Sequence, residues 1–262
     1  MKICVLVKQV PDAAVEKRMD SNTLRLDRSG ETNLNPFDTH AIEAAMQVKE
    51  GGAAVEEIVA VTMGPESAVR ALHKAVSLGA DRSLHLADEA LAGSDVCASG
   101  YAIGQILKKE SPDLVLLGQQ SDDGECYTMG AVIADHLQMP SLTQVIKMDV
   151  EGNKLRCERQ AEYGYDTVEV ELPAVISVGD AINEPRYPSL KAIMGAKKKP
   201  LETLSVADAG IEASRVGQEG SRTAVLALNP PPAKEKGEVF EDEDTNETVE
   251  KIVAWLDERK LV

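Results

Sequence analysis

The sequence predicts an α/β fold, in which a mostly parallel sheet carries helices on both faces, followed by an antiparallel extension and a C-terminal arm. Two observations predict it. Between residues 3 and 137, apolar β-branched runs alternate with helical patterns that begin at proline or polar residues. After Pro140 the pattern changes to a period of two with turn signals, which is typical of antiparallel strands. Short connections favour right-handed crossovers and therefore parallel pairing in the first part.

The first half contains four strand–helix repeats. Strands are predicted in ICVLV (3–7), EEIVAVTMG, DRSLHLAD and DLVLLG, and helices in NPFDTHAIEAAMQVKEGG, PESAVRALHKAVSLGA, DVCASGYAIGQILKKE and CYTMGAVIADHL. Pro36 suits the first turn of a helix because its missing N–H would have no partner there. Sheets of this kind bind ligands beyond the carboxyl ends of their strands. The loops after Val7, Met63 and Gly118 are therefore the expected site.

The second half is predicted to extend the sheet and then to leave it. The segment TQVIKMDVEGNKLRCERQAEYGYDTVEVELPAVISVGD is predicted as the antiparallel extension, followed by a loop with one short helix. NPPPAK is an expected extended linker, GEVFEDEDTNE is acidic and expected to be solvated, and TVEKIVAWLDERKLV is an amphipathic helix. We therefore divide the chain into an α/β domain, residues 1–200, and an arm, residues 201–262. The terminal helix suits docking on its own domain and docking on another chain equally.

Charge and composition exclude several classes of protein. The net charge of −16 would repel nucleic acid and anionic membrane surfaces, so neither is an expected partner. No apolar run approaches membrane-spanning length, and the N-terminus is typical of a first strand, so we expect no direct membrane insertion. The four cysteines form no C-x-x-C pair, which favours reduced thiols, a cytoplasmic location and no metal site.

The sequence shows no catalytic set. The four histidines, at positions 40, 73, 85 and 136, lie on separate predicted elements, and there is no G-x-S-x-G and no Cys/His pairing. We therefore expect a carrier whose cofactor supplies the chemistry rather than an enzyme.

The stretch LLGQQSDDGECYTMG (116–130) is the strongest candidate for binding chemistry. A strand ends at Gly118, a polar loop follows, and a helix is predicted to begin near Cys126. Free N–H groups at a helix start attract phosphate, although no Walker-type lysine is present. Asp122, Asp123 and Glu125 would repel a phosphate unless they cap the helix or bind ribose hydroxyls. An ordinary acidic helix cap remains an equal alternative.

Several motifs together resemble one family. VLVKQVPD, NPFD, VTMGP, LGADR, DLVLLGQQSDDGE and above all NEPRYPSLKAIMGAKKK occur in the order typical of the β subunit of electron transfer flavoprotein, from residue 1 to about 200. The resemblance implies a nucleotide-binding α/β domain and a heterodimer. An α subunit would hold most of an FAD, and residues 201–262 would pack on that subunit. The protein would exchange electrons with an acyl-CoA dehydrogenase-type flavoenzyme.

The resemblance also implies an adenine-nucleotide site in this chain, holding AMP or a second FAD. Phe37 would lie near the FAD ring at the subunit boundary. The positions that match the family's nucleotide site are Leu6, Asn35, Pro36, Phe37, Asp38, Met63, Gly118, Gln119, Gln120, Ser121, Asp122, Asp123, Gly124, Glu125, Cys126, Tyr127, Thr128 and Met129.

The choice of nucleotide stays open from the sequence. Gly124 followed by an acid resembles the electron-bifurcating members, which hold a second FAD and use NAD, whereas Ala131 and the Tyr127-Thr128-Met129 run match neither form. A stand-alone adenine-nucleotide-binding protein or an ATP-pyrophosphatase-like enzyme is the alternative of another class. Such a protein would need a Gly- or Ser-rich phosphate loop, which the sequence lacks.

The segment 183–199 matches the family's recognition loop. The resemblance implies that Leu190 inserts into an apolar pocket of the dehydrogenase, and Tyr187, Ile193 and Met194 are the other expected partner contacts. Three lysines at 197–199 would supply polar contacts or steering.

Overall fold

The computed structural model describes residues 1–229, 232, 237, 239 and 244–262. Residues 1–226 and 227–262 form two compact units. The strands are β1 (Lys2–Leu6), β2 (Gln9–Pro11), β3 (Met19–Asp20), β4 (Arg25–Leu26), β5 (Thr32–Leu34), β6 (Glu57–Met63), β7 (Arg82–Leu86), β8 (Leu114–Gly118), β9 (Ser141–Glu151), β10 (Lys154–Ala161), β11 (Gly164–Glu171), β12 (Ala174–Val178) and β13 (Leu201–Leu204). The helices are α1 (Pro36–Glu50), α2 (Val69–Leu78), α3 (Val96–Glu110), α4 (Met129–Leu137), α5 (Leu190–Ala196), α6 (Val206–Ala209), α7 (Gly217–Gly220) and α8 (Thr245–Glu258).

The main sheet of the described chain has the order β11-β10-β9-β12-β8-β1-β6-β7-β13. Pairing is parallel from β13 to β9 and antiparallel between β9, β10 and β11. This confirms the predicted α/β class with its antiparallel extension. β13 adds residues 201–204 to the sheet, so the first compact unit reaches beyond residue 200.

β12 is placed differently from the prediction. The sequence analysis assigned PAVISVGD to the antiparallel extension, whereas β12 lies inside the parallel sheet, between β8 and β9. All five of its residues are buried. Because both faces of this strand are covered, it needs a continuous apolar sequence rather than alternation.

Helices cover both faces of the sheet and enclose two cores. Ile3 and Val5 of β1 point into the core under α1 and α2, whereas Cys4 and Leu6 point into the core under α3 and α4. This alternation follows from the period of two in a strand. It explains why ICVLV is apolar at every position.

Gly79 ends α2 with φ = 142°, a backbone conformation that favours glycine. A Cβ here would lie 2.3 Å from Met46 Sδ on α1, so the glycine also permits close packing of the two helices.

The second compact unit contains the predicted terminal helix. α8 begins at Thr245, three residues before the predicted segment, because Asp244 caps it by accepting from the N–H groups of Asn246 and Glu247. Val249, Ile252 and Val253 are exposed along one side. Most of the predicted linker NPPPAK, and residues 238 and 240–243 of the acidic run GEVFEDEDTNE, lie outside the described residues. The packing of residues 201–262 on another subunit stays a prediction.

The chain changes faces at the centre of the sheet. After β1 it enters α1 on one face, whereas after β8 it enters α4 on the other, although β1 and β8 are neighbours. A crevice therefore opens beyond the carboxyl ends of these two strands, as expected at a topological switch point. Among the described helices, none is long and apolar enough to cross a membrane.

Candidate functional site

The switch-point crevice is a cleft of about 180 Å³ beyond β1, β6 and β8. It brings together many residues that the sequence analysis selected: Leu6, Asn35, Asp38, Met63, Gly118, Gln119, Gln120, Ser121, Cys126, Tyr127 and Met129. Others selected lie beside the cleft rather than in its wall: Pro36, Phe37, Asp122, Asp123, Gly124, Glu125 and Thr128. The volume is below the roughly 300–1,000 Å³ of pockets that enclose a whole ligand. The cleft would therefore enclose part of a nucleotide.

Several residues of the wall were not predicted from the sequence. These are Val7, Lys8, Val61, Thr62, Ser99, Ile103 and Leu117. Most are strand residues next to selected ones, and the end of each strand was the available signal. Ser99 and Ile103 come from α3, and no motif pointed to that helix.

Asn35 and Asp38 tie the start of α1 to the neighbouring loops. Asn35 occupies the N-cap position but makes no side-chain cap bond. Its amide donates instead to Asp38 Oδ1 at 2.9 Å and to the Gln120 carbonyl at 2.8 Å, and its Oδ1 accepts from the Asp122 N–H at 3.1 Å. Asp38 Oδ2 accepts from the Lys8 N–H at 2.7 Å. Burial raises the pKa of Asp38 to about 7, despite these hydrogen bonds.

Gly118 allows α1 to approach the end of β8. A Cβ at this position would lie 2.6 Å from Phe37 Cβ and 2.7 Å from Asp38 Oδ1. Glycine is therefore required by close approach. Phe37 is half-buried behind this contact, beside the cleft.

The loop after β8 does not form a helix at the predicted place. α4 begins at Met129, whereas the sequence analysis expected a start near Cys126. Glu125 and Tyr127 have φ values of 44° and 54°, and this left-handed backbone interrupts a helix. The free N–H groups of the helix start consequently belong to residues from Met129 onward. Cys126 and Tyr127 lie in an exposed irregular segment that lines the cleft.

Asp123 joins the loop to two cationic side chains. Its carboxylate is 1% exposed, with Oδ1 accepting from Lys8 Nζ at 2.8 Å and Oδ2 accepting from Arg28 Nη2. Lys17 Nζ adds a 2.6 Å bond to the Asp122 carbonyl. Burial opposes ionisation, but the two cations outweigh it and lower the pKa of Asp123 to about 2. Asp123 thus fixes the loop. It also holds Lys8 and Arg28 in place, so it would influence a ligand through the positions of these two cations.

Gln120 leaves a buried acceptor in the cleft wall. Among the described residues, its Oε1 is the buried side-chain atom that has no hydrogen-bond partner. A buried oxygen without a donor is unfavourable by about 1–3 kcal/mol, so such an atom marks a place where a ligand donor fits. The exocyclic amine of an adenine is a donor of this kind.

The wall of the cleft combines an apolar floor with a polar rim. Leu6, Val61 and Leu117 supply the floor, and Lys8 and Ser121 stand at the rim. This arrangement suits a flat base with a polar tail. In the described residues no group of three or more His, Cys, Asp or Glu side chains is placed to hold a metal ion.

A larger groove of about 1070 Å³ lies at the opposite end of the sheet, beside Met1, Gly51 and Asp113. It is formed at the amino ends of the parallel strands. Because ligands of open α/β sheets bind beyond the carboxyl ends, the smaller cleft is the better candidate despite its size.

The expected partner contacts form an exposed apolar surface. Leu190, Ile193 and Met194 lie at i, i+3 and i+4 on α5 and therefore share one face. The Leu190 side chain is 79% exposed to solvent, and that of Tyr187, just before the helix, is 95% exposed. Ser189 caps the helix by accepting from the Ala192 N–H at 3.1 Å. Ala196, on the other side, is buried.

The fold and the cleft together define a doubly wound α/β protein with a switch-point site suited to a nucleotide. Comparison with known proteins identifies the family within this class. Residues 23–209 match the family model "Electron transfer flavoprotein domain". The chain belongs to the electron transfer flavoprotein family, and specifically to its β subunits, as the sequence motifs predicted.

Its relatives match over nearly the full length. The chain is 42% identical to "Electron transfer flavoprotein subunit beta" of Mycobacterium tuberculosis over 265 residues, which cover 99% of each chain. It is 36% identical to the protein of the same name from Megasphaera elsdenii over 272 residues, with both chains covered completely. It is also 36% identical, again over the complete chains, to "Caffeyl-CoA reductase-Etf complex subunit CarD" of Acetobacterium woodii.

Proposed function

We propose that this chain is the β half of a heterodimeric electron carrier. An α subunit would hold most of an FAD, and this chain would bind an adenine nucleotide and dock a dehydrogenase-type flavoenzyme. The FAD supplies the electron-transfer chemistry when it is bound. The residues of this chain bind, orient and dock, which agrees with a cleft whose wall combines an apolar floor with a polar rim.

The cleft is the observation that carries the proposal. The unpaired Gln120 Oε1 would accept from an adenine amine, and the apolar floor would cover the base. Lys8 at the rim and the N–H groups at the start of α4 would meet phosphate oxygens. Phe37, behind the cleft, would lie toward the FAD of the α subunit.

Nucleotides released from the purified complex test this proposal. Quantification by liquid chromatography and mass spectrometry should give one FAD and one AMP, or two FADs, per heterodimer. A complex without adenine nucleotide in this chain would refute it. Gln120→Leu should reduce nucleotide content, whereas Gln160→Leu, at an exposed position of β10 outside the cleft, is the matched control.

The exposed face of α5 would dock the dehydrogenase. Burying a leucine contributes roughly 1.5–3 kcal/mol, so Leu190→Ala should raise the KM for the dehydrogenase about tenfold with unchanged flavin content. Met19→Ala, which truncates a 52% exposed methionine of the same compact unit outside the segment 183–199 and the arm, should leave the KM unchanged. Equal effects of the two substitutions would count against α5 as the docking face.

A bifurcating form is the second candidate. Its support is the Gly124–Glu125 pair and the resemblance to a subunit whose name places it in a reductase–Etf complex. Two FADs per heterodimer together with NADH-dependent reduction would favour it, whereas one FAD plus AMP would exclude it. A stand-alone nucleotide-binding protein would purify colourless and without a second subunit. A cytoplasmic location stays a prediction.

A further inference from the structure

The segment 183–199 is held on α1 by a guanidinium clamp, which consists of Arg186, Glu43 and Glu50. Arg186 Nε donates to Glu43 Oε2 at 2.6 Å and Nη2 donates to Glu43 Oε1 at 3.0 Å. Nη1 and Nη2 donate to the two oxygens of Glu50 at 2.6 and 2.9 Å. Both carboxylates are therefore bound in the two-pronged way that only a planar guanidinium allows.

A main-chain hydrogen bond and a second pair of residues also attach the segment 183–199 to α1. The Arg186 N–H also donates to Glu43 Oε2, at 3.2 Å. Asn183 Nδ2 donates to the His40 carbonyl at 3.0 Å, and His40 Nδ1 donates back to the Asn183 carbonyl at 3.0 Å. Positions 40, 43 and 50 fall on one stripe of a helix, so α1 presents all of these groups to the segment together.

The clamp is partly buried and electrostatically favourable. The Glu43 side chain is only 8% exposed, and hydrogen bonds to Glu50 and Glu43 raise the pKa of Arg186 above its ordinary value. The hydrogen bond from Arg186 also lowers the pKa of Glu50. Arg186 and Glu50 are consequently charged at neutral pH, and removal of Arg186 would leave the buried Glu43 carboxyl without its guanidinium partner.

The other end of the segment is attached independently. Lys199 Nζ donates to the Ala80 carbonyl at 3.0 Å, and Pro200 leads directly into β13, whose strand pairs with β7. α5 and its exposed apolar face thus lie between two fixed ends. The clamp is only four residues before Leu190, and Pro188 lies in the connection.

We propose that Arg186 is a positioning residue, which fixes the direction in which Leu190 and the rest of the α5 face meet the partner flavoenzyme. The inference rests on the proposed docking function of that face. A surface that is already ordered loses less conformational freedom on binding, so the clamp increases the affinity for the partner without touching it. Lysine at this position would keep the charge but could not bind either carboxylate in the two-pronged way of a guanidinium.

The test uses the complete heterodimer with a purified short-chain acyl-CoA dehydrogenase and butyryl-CoA as the electron donor. Arg186→Lys is compared with Arg82→Lys, which changes an arginine that also bridges two glutamates, Glu57 and Glu110, outside the segment. We expect Arg186→Lys to raise the KM for the dehydrogenase about three- to tenfold with unchanged kcat and flavin content. Arg82→Lys should leave the KM unchanged.

Combination with Leu190→Ala separates positioning from simple stabilisation. If Arg186 acts through the α5 face, Arg186→Lys should have almost no further effect on KM in the Leu190→Ala background. An undiminished effect in that background, or an equal effect of Arg82→Lys, would overturn the inference. An unchanged KM for Arg186→Lys alone would also overturn it. An unchanged KM for Leu190→Ala would instead overturn the docking function on which it rests.

Discussion

Asp123→Asn tests whether the candidate loop is held by charge. The substitution keeps the size of the side chain and removes the negative charge that Lys8 and Arg28 share. Because the carboxylate is 1% exposed, water cannot take over its role without opening the loop. We therefore expect lower stability of the α/β domain and faster exchange of amide hydrogens in residues 119–128.

The magnitude follows from the shifted pKa. The pKa of Asp123 falls from 3.8 to about 2 in the folded state, and each unit corresponds to about 1.4 kcal/mol, so the charge stabilises the fold by about 2 kcal/mol at pH 7. Breaking a fully buried pair would cost about 3–5 kcal/mol, but both cations are partly exposed and can be hydrated, which favours the lower figure. Since the folded pKa is depressed, this stability is present above pH 3.8 and is lost as the pH falls toward 2.

Urea unfolding of the heterodimer, followed by circular dichroism at fixed protein concentration, measures the effect. Wild type, Asp123→Asn and Asp122→Asn are compared at pH 3, 4, 5 and 7. Asp122 is the matched control because it contributes its backbone N–H and carbonyl to the same loop. The free energy of unfolding of Asp123→Asn should be lower than that of wild type by a constant amount between pH 5 and 7, and this deficit should shrink below pH 4. A deficit that is independent of pH, or equal in the control, would refute the electrostatic argument.

Three further predictions concern the same cleft. Gly118→Ala should lower the Tm and the nucleotide content together, because the new Cβ would lie 2.6 Å from Phe37 Cβ; thermal unfolding and nucleotide analysis measure the two effects. Burial raises the pKa of Asp38 in the folded state to about 7. The contribution of Asp38 to the free energy of unfolding should therefore fall as the pH rises from 3.8 to 7, by up to about 1.4 kcal/mol per pH unit. Asp38→Asn should abolish this dependence of the free energy of unfolding on pH, measured by urea titration. Cys126 lines the cleft and is exposed, so added AMP should slow its alkylation by iodoacetamide, whereas Cys97, exposed outside the cleft, should react at an unchanged rate.

Local patterns predicted the first half of the fold well. β1 is apolar and buried from Ile3 to Leu6 because both of its faces are covered, and this pattern needs no knowledge of distant residues. Pro36 marked the start of α1 within one residue, since proline is suited to that position. The position of the cleft beyond β1, β6 and β8 followed from the alternation of strands and helices, because that alternation predicts a parallel sheet with its ligand site at the carboxyl ends of the strands.

Long-range pairing set the limit of prediction. β12 follows three strands along the chain but pairs with β8, about 60 residues earlier, and its sequence alone could not reveal that neighbour. The Lys8–Asp123 pair joins residues 115 positions apart. Asp123 was selected as a nucleotide-binding position because its motif matched, but the motif gave no sign of its contacts with Lys8 and Arg28. The late start of α4 depends on two left-handed residues, neither of which is a glycine.

The buried polar groups of α1 explain how one helix can serve two tasks. Asn35 and Asp38, at its start, hold the loops around the cleft, and Glu43, less than two turns later, holds Arg186. Burying such groups is unfavourable unless each is hydrogen-bonded, and here every one of them is. A helix used only for packing needs no buried charged groups, and the buried residues of α2 include none. The charges of α1 therefore belong to the two surfaces it joins, the nucleotide cleft and the docking segment, and substitutions at Asp38 and Glu43 should affect different measurements: nucleotide content for the first and the KM for the dehydrogenase for the second.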